Sequence, residues 1–290
     1  MRSEIFYFEG DHAKPLVIFI HGMGMDAAMW VQPALARVLG GKYPLSILLG
    51  DAEMKTSFHD LRDRCFPVLA WSQARPGGPA LIAVEELKEL VMAYSVKAPA
   101  GIVLIGHSRG GLIARRFLQE CITPIRGVIT IATPHKGSSM AQWVVSLSPL
   151  SAAVKKIMDL GDKGVRTSLH RVISFLSGHE IREMLPGSAF LTGLSERRQP
   201  GFFIASIGGT DPALVKIGAT PLPNLLAALF PDRMIPDEMR EGKADGFVTA
   251  ESAVYPGGDE HRDFHVHHAG LIFDRGVREY VMKRVLSLTD

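Results

Sequence analysis

Cysteine is scarce in this chain of 290 residues: there are two, Cys65 and Cys121. One disulfide is arithmetically possible, but no disulfide framework holds the fold together. Cys121 follows an apolar helical stretch and reads as a buried free thiol. Charge of one sign is lacking too. The 32 basic and 30 acidic side chains leave a net charge of +2, so there is no electrostatic footprint for a nucleic acid. No apolar run reaches the length of a membrane span. The opening residues, Met1-Arg2-Ser3-Glu4-Ile5-Phe6-Tyr7-Phe8, lack a charged segment followed by a sustained apolar one, so no secretory signal is expected. The expectation is a soluble, cytoplasmic protein with at most transient contact with a lipid surface. Internal repeats, low-complexity tracts and charge blocks are also missing. Metal-ligand spacing is missing as well. His179-Glu180 is followed by Glu183 where a zinc-protease helix would place its second histidine. The bunched His265, His267 and His268 read as a polar loop, not a metal site. No cofactor and no metal are expected.

What is present is a large apolar fraction, 47%, enough to build one sizeable core. Short apolar runs at residues 15–20, Leu45–Leu49, Ile102–Ile105, Val128–Ile131 and Phe202–Ile207 read as strands buried on both faces. Helical periodicity lies between and after them, at Trp30–Leu39, Leu81–Tyr94, Gly111–Glu120 and Val277–Leu288. The alternation predicts an α/β fold with a mostly parallel sheet and helices on both faces, in a single domain over 1–290. Residues 138–194 break the rhythm. They contain no clear strand, only apolar patches at helical spacing. Such stripes serve a core. Here they also suit a helical cap, because the segment follows a strand end, where active-site loops emerge in open sheets. Met140, Trp143, Val144 and Leu147 are the candidates to face a bound substrate.

Gly106-His107-Ser108-Arg109-Gly110 matches G-x-S-x-G. The bare pattern is weak, since a chain this rich in glycine shows it by chance roughly one time in five. Its setting is informative: the apolar run 102–105 precedes it and the periodic stretch 111–118 follows. Strand, sharp turn and helix make a nucleophile elbow, with Ser108 exposed at the turn and a helix N-terminus aimed at developing negative charge. His21-Gly22-Met23-Gly24 follows the first strand. Glycines there let the backbone approach a substrate oxygen, so the amides of Met23 and Arg109 are candidates for an oxyanion hole. In this fold the acid and then the base follow the serine. His268, heading His-Ala-Gly-Leu before the last helix, is the preferred base; His267 competes, and His261 and His265 read as structural or exposed, the latter with His267 on a possible short strand. Asp245, in Ala-Asp-Gly-Phe-Val, is the preferred acid, with Asp211, Asp259 and Glu251 as alternatives. Asp211, in Gly-Gly-Thr-Asp, also reads as a turn cap.

The chain resembles the lipase and esterase branch of the α/β-hydrolase superfamily, close to bacterial triacylglycerol lipases and related serine esterases. The resemblance is carried in order by Ile20–Gly24, Ile105–Gly111, Thr130–Ser138, Leu185–Leu191, Asp245–Ala253 and His268–Leu271. It implies an α/β-hydrolase fold, with the cap inserted after the strand that follows the elbow helix. It implies a Ser108–His268–Asp245 triad working through an acyl-enzyme on a small acyl ester or lipid. His135, in Thr-Pro-His-Lys-Gly-Ser, is read as structural support. Secreted relatives carry a signal peptide and a calcium site; neither is placed here and the cap is modest, which favours an esterase over an interfacially activated lipase. An acyltransferase would use the same acyl-enzyme. A non-catalytic acyl-binding module is the remaining alternative.

Overall fold

Leu16, Ile18 and Ile20 belong to one buried cluster, and Val17 and Phe19 to another. All five are fully buried. A strand with no polar face fits only inside a sheet covered on both sides. The computed structural model describes residues 4–38, 43–44, 54–120, 125–140, 142, 179–196, 201–214, 216–217, 220–221, 224, 232 and 235–289. Its main sheet has seven strands: β1 (Ile5–Phe8), β2 (Leu16–Ile20), β3 (Val68–Trp71), β4 (Ile102–His107), β5 (Ile125–Ile131), β6 (Phe203–Gly209) and β7 (Glu260–Phe264). Their order is β1-β3-β2-β4-β5-β6-β7. The edge strand β1 runs antiparallel to β3, and every other pairing is parallel.

Among the described residues, four longer helices cover the sheet: α1 (Ser57–Asp63), α2 (Ala80–Tyr94), α3 (Arg109–Leu118) and α4 (Arg275–Leu286). On one side Phe58 and Leu61 of α1 and Val277, Val281 and Val285 of α4 pack with Val17 and Phe19. On the other, Ala80, Val84, Leu87 and Val91 of α2 meet Ile113 and Phe117 of α3. Each such large apolar side chain contributes about 1.5–3 kcal/mol on burial. The exposed Arg275–Glu279 pair on α4 contributes about 0.3–0.5 kcal/mol, so packing fixes where the helix lies. The mostly parallel, doubly covered sheet is the one expected from the sequence.

Several expectations need correction. Among the described residues of the stretch Trp30–Leu39, only Trp30 and Val31 are helical, as the end of a short helix Ala28–Val31, and Arg37–Val38 instead pairs with Tyr43–Pro44. Pro33 follows the helix after one residue, Gln32, and its ring and missing N–H prevent continuation. The supposed strand through His265 and His267 ends earlier, at Phe264. Its sequence, Glu-His-Arg-Asp-Phe, has no apolar alternation because β7 is an edge strand half open to solvent. β1 and β3 were too short to register. Leu45–Leu49, Cys121, Trp143, Val144 and Leu147 lie outside the described residues, as does most of 138–194. What is described there is Ser138–Met140, residue 142, a 3₁₀ turn at His179–Met184 and a short helix at Ala189–Thr192. Among the described residues, no helix is long and apolar enough to cross a membrane.

Candidate active site

The carboxyl ends of β2, β4, β5 and β6 and the segment after β7 carry nearly every candidate residue. At the end of β4 the chain turns through Ser108, with φ 53° and ψ −126°, and enters α3 at Arg109. This is a strained conformation for a residue with a side chain. Ser108 N donates to Ile131 O at 2.8 Å, and Gly111 N to Ser108 O at 3.0 Å. The glycines answer to close packing. A Cβ on Gly106 would stand 2.6 Å from Gly111 Cα, one on Gly110 would strike the Ile20 carbonyl oxygen, and one on Gly111 would strike the Thr133 side chain. Helix, elbow and two strands meet here at backbone contact, which only glycine permits.

The segment after β2 lies against this turn. A Cβ on Gly22 would meet Ser108 Cβ and His107 Nδ1, each at 3.2 Å. Gly24 N donates to Pro76 O at 2.8 Å, and Met23 is buried between these fixed points. Arg109, whose backbone N–H opens α3, has a fully buried side chain. Its guanidinium donates to Gly78 O, to Gln73 Oε1 at 2.7 Å and to Pro76 O at 3.0 Å.

Asp245 and His268 are brought together. His268 Nδ1 lies 2.8 Å from Asp245 Oδ2, and His268 N donates to Asp245 O at 2.9 Å. The other carboxylate oxygen, Oδ1, accepts from Phe247 N at 2.9 Å and Val248 N at 2.7 Å. Asp245 is fully buried, so these bonds supply what water would. Because a carboxylate only accepts, Nδ1 of His268 carries the proton and Nε2 presents a lone pair when the ring is neutral. Gly209 leaves the room: a Cβ there would stand 2.7 Å from Asp245 Cβ. Gly246, at φ 93°, makes the turn after Asp245. The His268 ring packs against His107 at 4.9 Å between centroids and against Phe247 at 5.3 Å. His107, the neighbour of Ser108 in the chain, also places Nε2 3.2 Å from His268 O. A carbonyl accepts, so His107 Nε2 donates, and Nδ1 is a buried acceptor without a partner among the described residues. Burial lowers the His107 imidazole to about 3, and His268 beside it adds to the shift. Burial likewise lowers His21 to about 4.

The competing residues go elsewhere. Asp211 Oδ1 accepts from Ala213 N at 2.8 Å, a turn cap. Asp259 Oδ2 caps Ile204 N at 2.9 Å. Glu251 is exposed and pairs with Lys136. His267 Nδ1 accepts from Gly270 N at 3.2 Å, His265 faces Glu241 at 3.4 Å, and His261 lies between Ser206 and Asp263. Buried His135 meets Thr130 Oγ1 at 3.1 Å and packs at a tilt against the Tyr255 ring, 4.6 Å between centroids. Met140 is buried. Sequence reading missed Gln73 and the Arg109 side chain. A glutamine and an arginine carry no motif of their own, and only their burial marks them. Among the described residues, no three His, Cys, Asp or Glu side chains gather as metal ligands would.

The sequence model of the family described as palmitoyl protein thioesterase matches residues 15–197. No curated protein matches the sequence. Among solved structures, the mature form of the lipase BlEst2 from Bacillus licheniformis superposes with a TM-score of 0.60 at 15% identity, over 97% of this chain and 98% of that one. A structure from work on carboxylesterases of the thaumarchaeon Nitrososphaera gargenis gives 0.53 at 14% identity, over 99% and 96%. At such identities the likeness speaks for the fold, which is that of the α/β-hydrolases.

Proposed function

The chain belongs to the palmitoyl protein thioesterase family, and from that premise we propose that it is a serine hydrolase of acyl esters, thioesters included, with Ser108, His268 and Asp245 as its triad. The observation that carries the reading is the buried 2.8 Å bond between His268 Nδ1 and Asp245 Oδ2, beside the ring of the residue that precedes the strained Ser108. In the reaction, Ser108 Oγ attacks the acyl carbonyl carbon while His268 Nε2 takes its proton. The amides of Met23 and Arg109 stabilise the oxyanion. His268 then gives the proton to the departing alcohol or thiol, leaving an acyl-serine ester. Water, activated by the same imidazole, attacks that ester and releases the carboxylic acid. Asp245 holds the tautomer and stabilises the imidazolium; it does not take the proton. The cap, 138–194, is the proposed acyl-binding element of the single domain, with Met140, Trp143, Val144 and Leu147 toward the chain.

The family match favours a thioester, and the structural likeness to lipases and esterases brings oxygen esters into the test. The test is a p-nitrophenyl ester series of increasing acyl length, with a matching acyl thioester series. Each is run on the wild-type chain and on Ser108→Ala, together with labelling by a fluorophosphonate. Hydrolysis should rise with acyl length to a limit, since each buried CH₂ contributes about 0.8 kcal/mol. Ser108→Ala should lose the label and fall at least about a thousandfold in kcat. A labelled or fully active Ser108→Ala chain overturns the assignment.

A further inference from the structure

Gln73 and the side chain of Arg109 close a ring of hydrogen bonds around the two amides assigned to the oxyanion hole. Gln73 N donates to His21 Nε2 at 3.0 Å, and Gln73 Nε2 donates to His21 O at 3.0 Å. Gln73 Oε1 accepts from Arg109 Nη2 at 2.7 Å. The orientation of the amide is fixed, because a guanidinium only donates and a carbonyl only accepts. The tautomer of His21 follows in the same way. Its Nε2 accepts, so its Nδ1 carries the proton and donates to Gly22 O at 2.8 Å. Arg109 Nη2 also reaches Pro76 O at 3.0 Å, and Pro76 O accepts from Gly24 N at 2.8 Å. Gln73 therefore grips the His21 end of the segment 21–24, and Pro76 grips the Gly24 end. Both are held by the guanidinium of the residue that follows Ser108. Gln73, His21 and Arg109 are all buried. The loop is anchored in turn to α2, where Glu86 Oε1 accepts from Ala74 N at 3.2 Å.

We infer that Gln73 and the Arg109 guanidinium are positioning residues that set the separation of the Met23 and Arg109 amides, and so the fit of the oxyanion hole to the tetrahedral intermediate. The inference rests on the serine-hydrolase reading. Neither side chain touches the reacting atoms in it; both act through backbone. A hole that opens by a fraction of an ångström loses stabilisation in the transition state more than in the bound ester. Removing one oxyanion donor outright costs about a hundredfold to a thousandfold in kcat, so misplacing one should cost about tenfold to a hundredfold.

The experiment compares the wild-type chain with Gln73→Met, Gln73→Glu and Arg109→Lys on one p-nitrophenyl ester. Rates are normalised to sites titrated with a fluorophosphonate, so a partly unfolded sample does not count as a catalytic defect. Gln73→Met removes both side-chain bonds at similar volume. Gln73→Glu keeps the acceptor for Arg109 and loses the donor to His21 O, and it guards against Gln73→Met failing to fold. Arg109→Lys keeps the backbone N–H but cannot span three acceptors from one ammonium. All three should lower kcat per titrated site about tenfold to a hundredfold with KM within about twofold. Labelling should still reach one serine per chain, more slowly. A kcat per site within about twofold of wild type, or a loss confined to KM, overturns the proposal. If the wild-type chain is active and labelled, such a result removes this inference alone. A wild-type chain that neither hydrolyses nor takes the label removes the serine-hydrolase reading and this one with it.

Discussion

The elbow at 106–111 and the Asp245–His268 pair are built by different means. At the elbow the geometry depends on what side chains leave out. Three glycines sit where a Cβ would collide with neighbouring backbone or with Thr133, and Ser108 is held at a positive φ between them. At the pair the geometry depends on what side chains and amides join. His268 and Asp245 are 23 residues apart and meet through one side-chain bond and one backbone bond, while His107 reaches His268 O from 161 residues away. The first device is steric and shared with the core of the sheet. The second is electrostatic and lies in loops beyond it. Damage to the first should therefore appear in stability, and damage to the second in rate.

The sharpest way to break that contrast is at the proposed base. His268→Ala should lower kcat at least about a thousandfold, whereas His267→Ala, whose Nδ1 accepts from Gly270 N, should be mild. Steady-state kinetics on both variants decides it, and the reverse ranking would mean that the wrong imidazole has been assigned. Asp245→Asn comes next, with a loss of about a hundredfold or more, because an amide no longer enforces the Nδ1–H tautomer. The thermal midpoint should move little, since the packing around the side chain is kept. Asp211→Asn serves as its control and should leave kcat near wild type.

Gly110→Ala tests the other side of the comparison. Its Cβ meets the Ile20 carbonyl, an overpacking that costs roughly 1–3 kcal/mol. Denaturant melts should show this loss at the elbow, and an unchanged midpoint would refute the steric account. The last test is an acid slope. His21 and His107 are lowered by burial to about 4 and about 3, while in the unfolded chain they titrate near 6.5. Below about pH 6.5 the unfolded state binds protons that the folded state refuses, so stability falls with pH down to about 4. The slope is about 1.4 kcal/mol per pH unit for each histidine. Melts recorded across that window, on wild type and His107→Gln, should show the variant flatter by one histidine's share. Equal slopes would remove His107 from the account.

Much of the fold was legible because burial on both faces writes a continuous apolar run. Residues 15–20, Ile102–Ile105 and Phe202–Ile207 announced central strands for that reason. β7 did not, since an edge strand half in solvent can be spelled Glu-His-Arg-Asp-Phe. Trp30–Leu39 misled because apolar spacing suited a helix that Pro33 cuts short. The elbow was legible because its constraint is local, with glycines close in sequence to the serine they free. Asp245 could be favoured over Asp211, Asp259 and Glu251 from its Gly-permitted turn and family order, but the residues alone left all four open.

The sequence by itself determined the buried central strands and the elbow, because each is fixed by neighbours within a few residues or by the period of burial. Only the tertiary structure decided which carboxylate meets which imidazole. Only it showed that Gln73 and the Arg109 guanidinium hold the segment 21–24. Hydrogen bonds between loops from different strands have no period and no fixed spacing. Their partners are chosen by where the sheet delivers its strand ends, and by the cost of leaving a buried polar group unpaired.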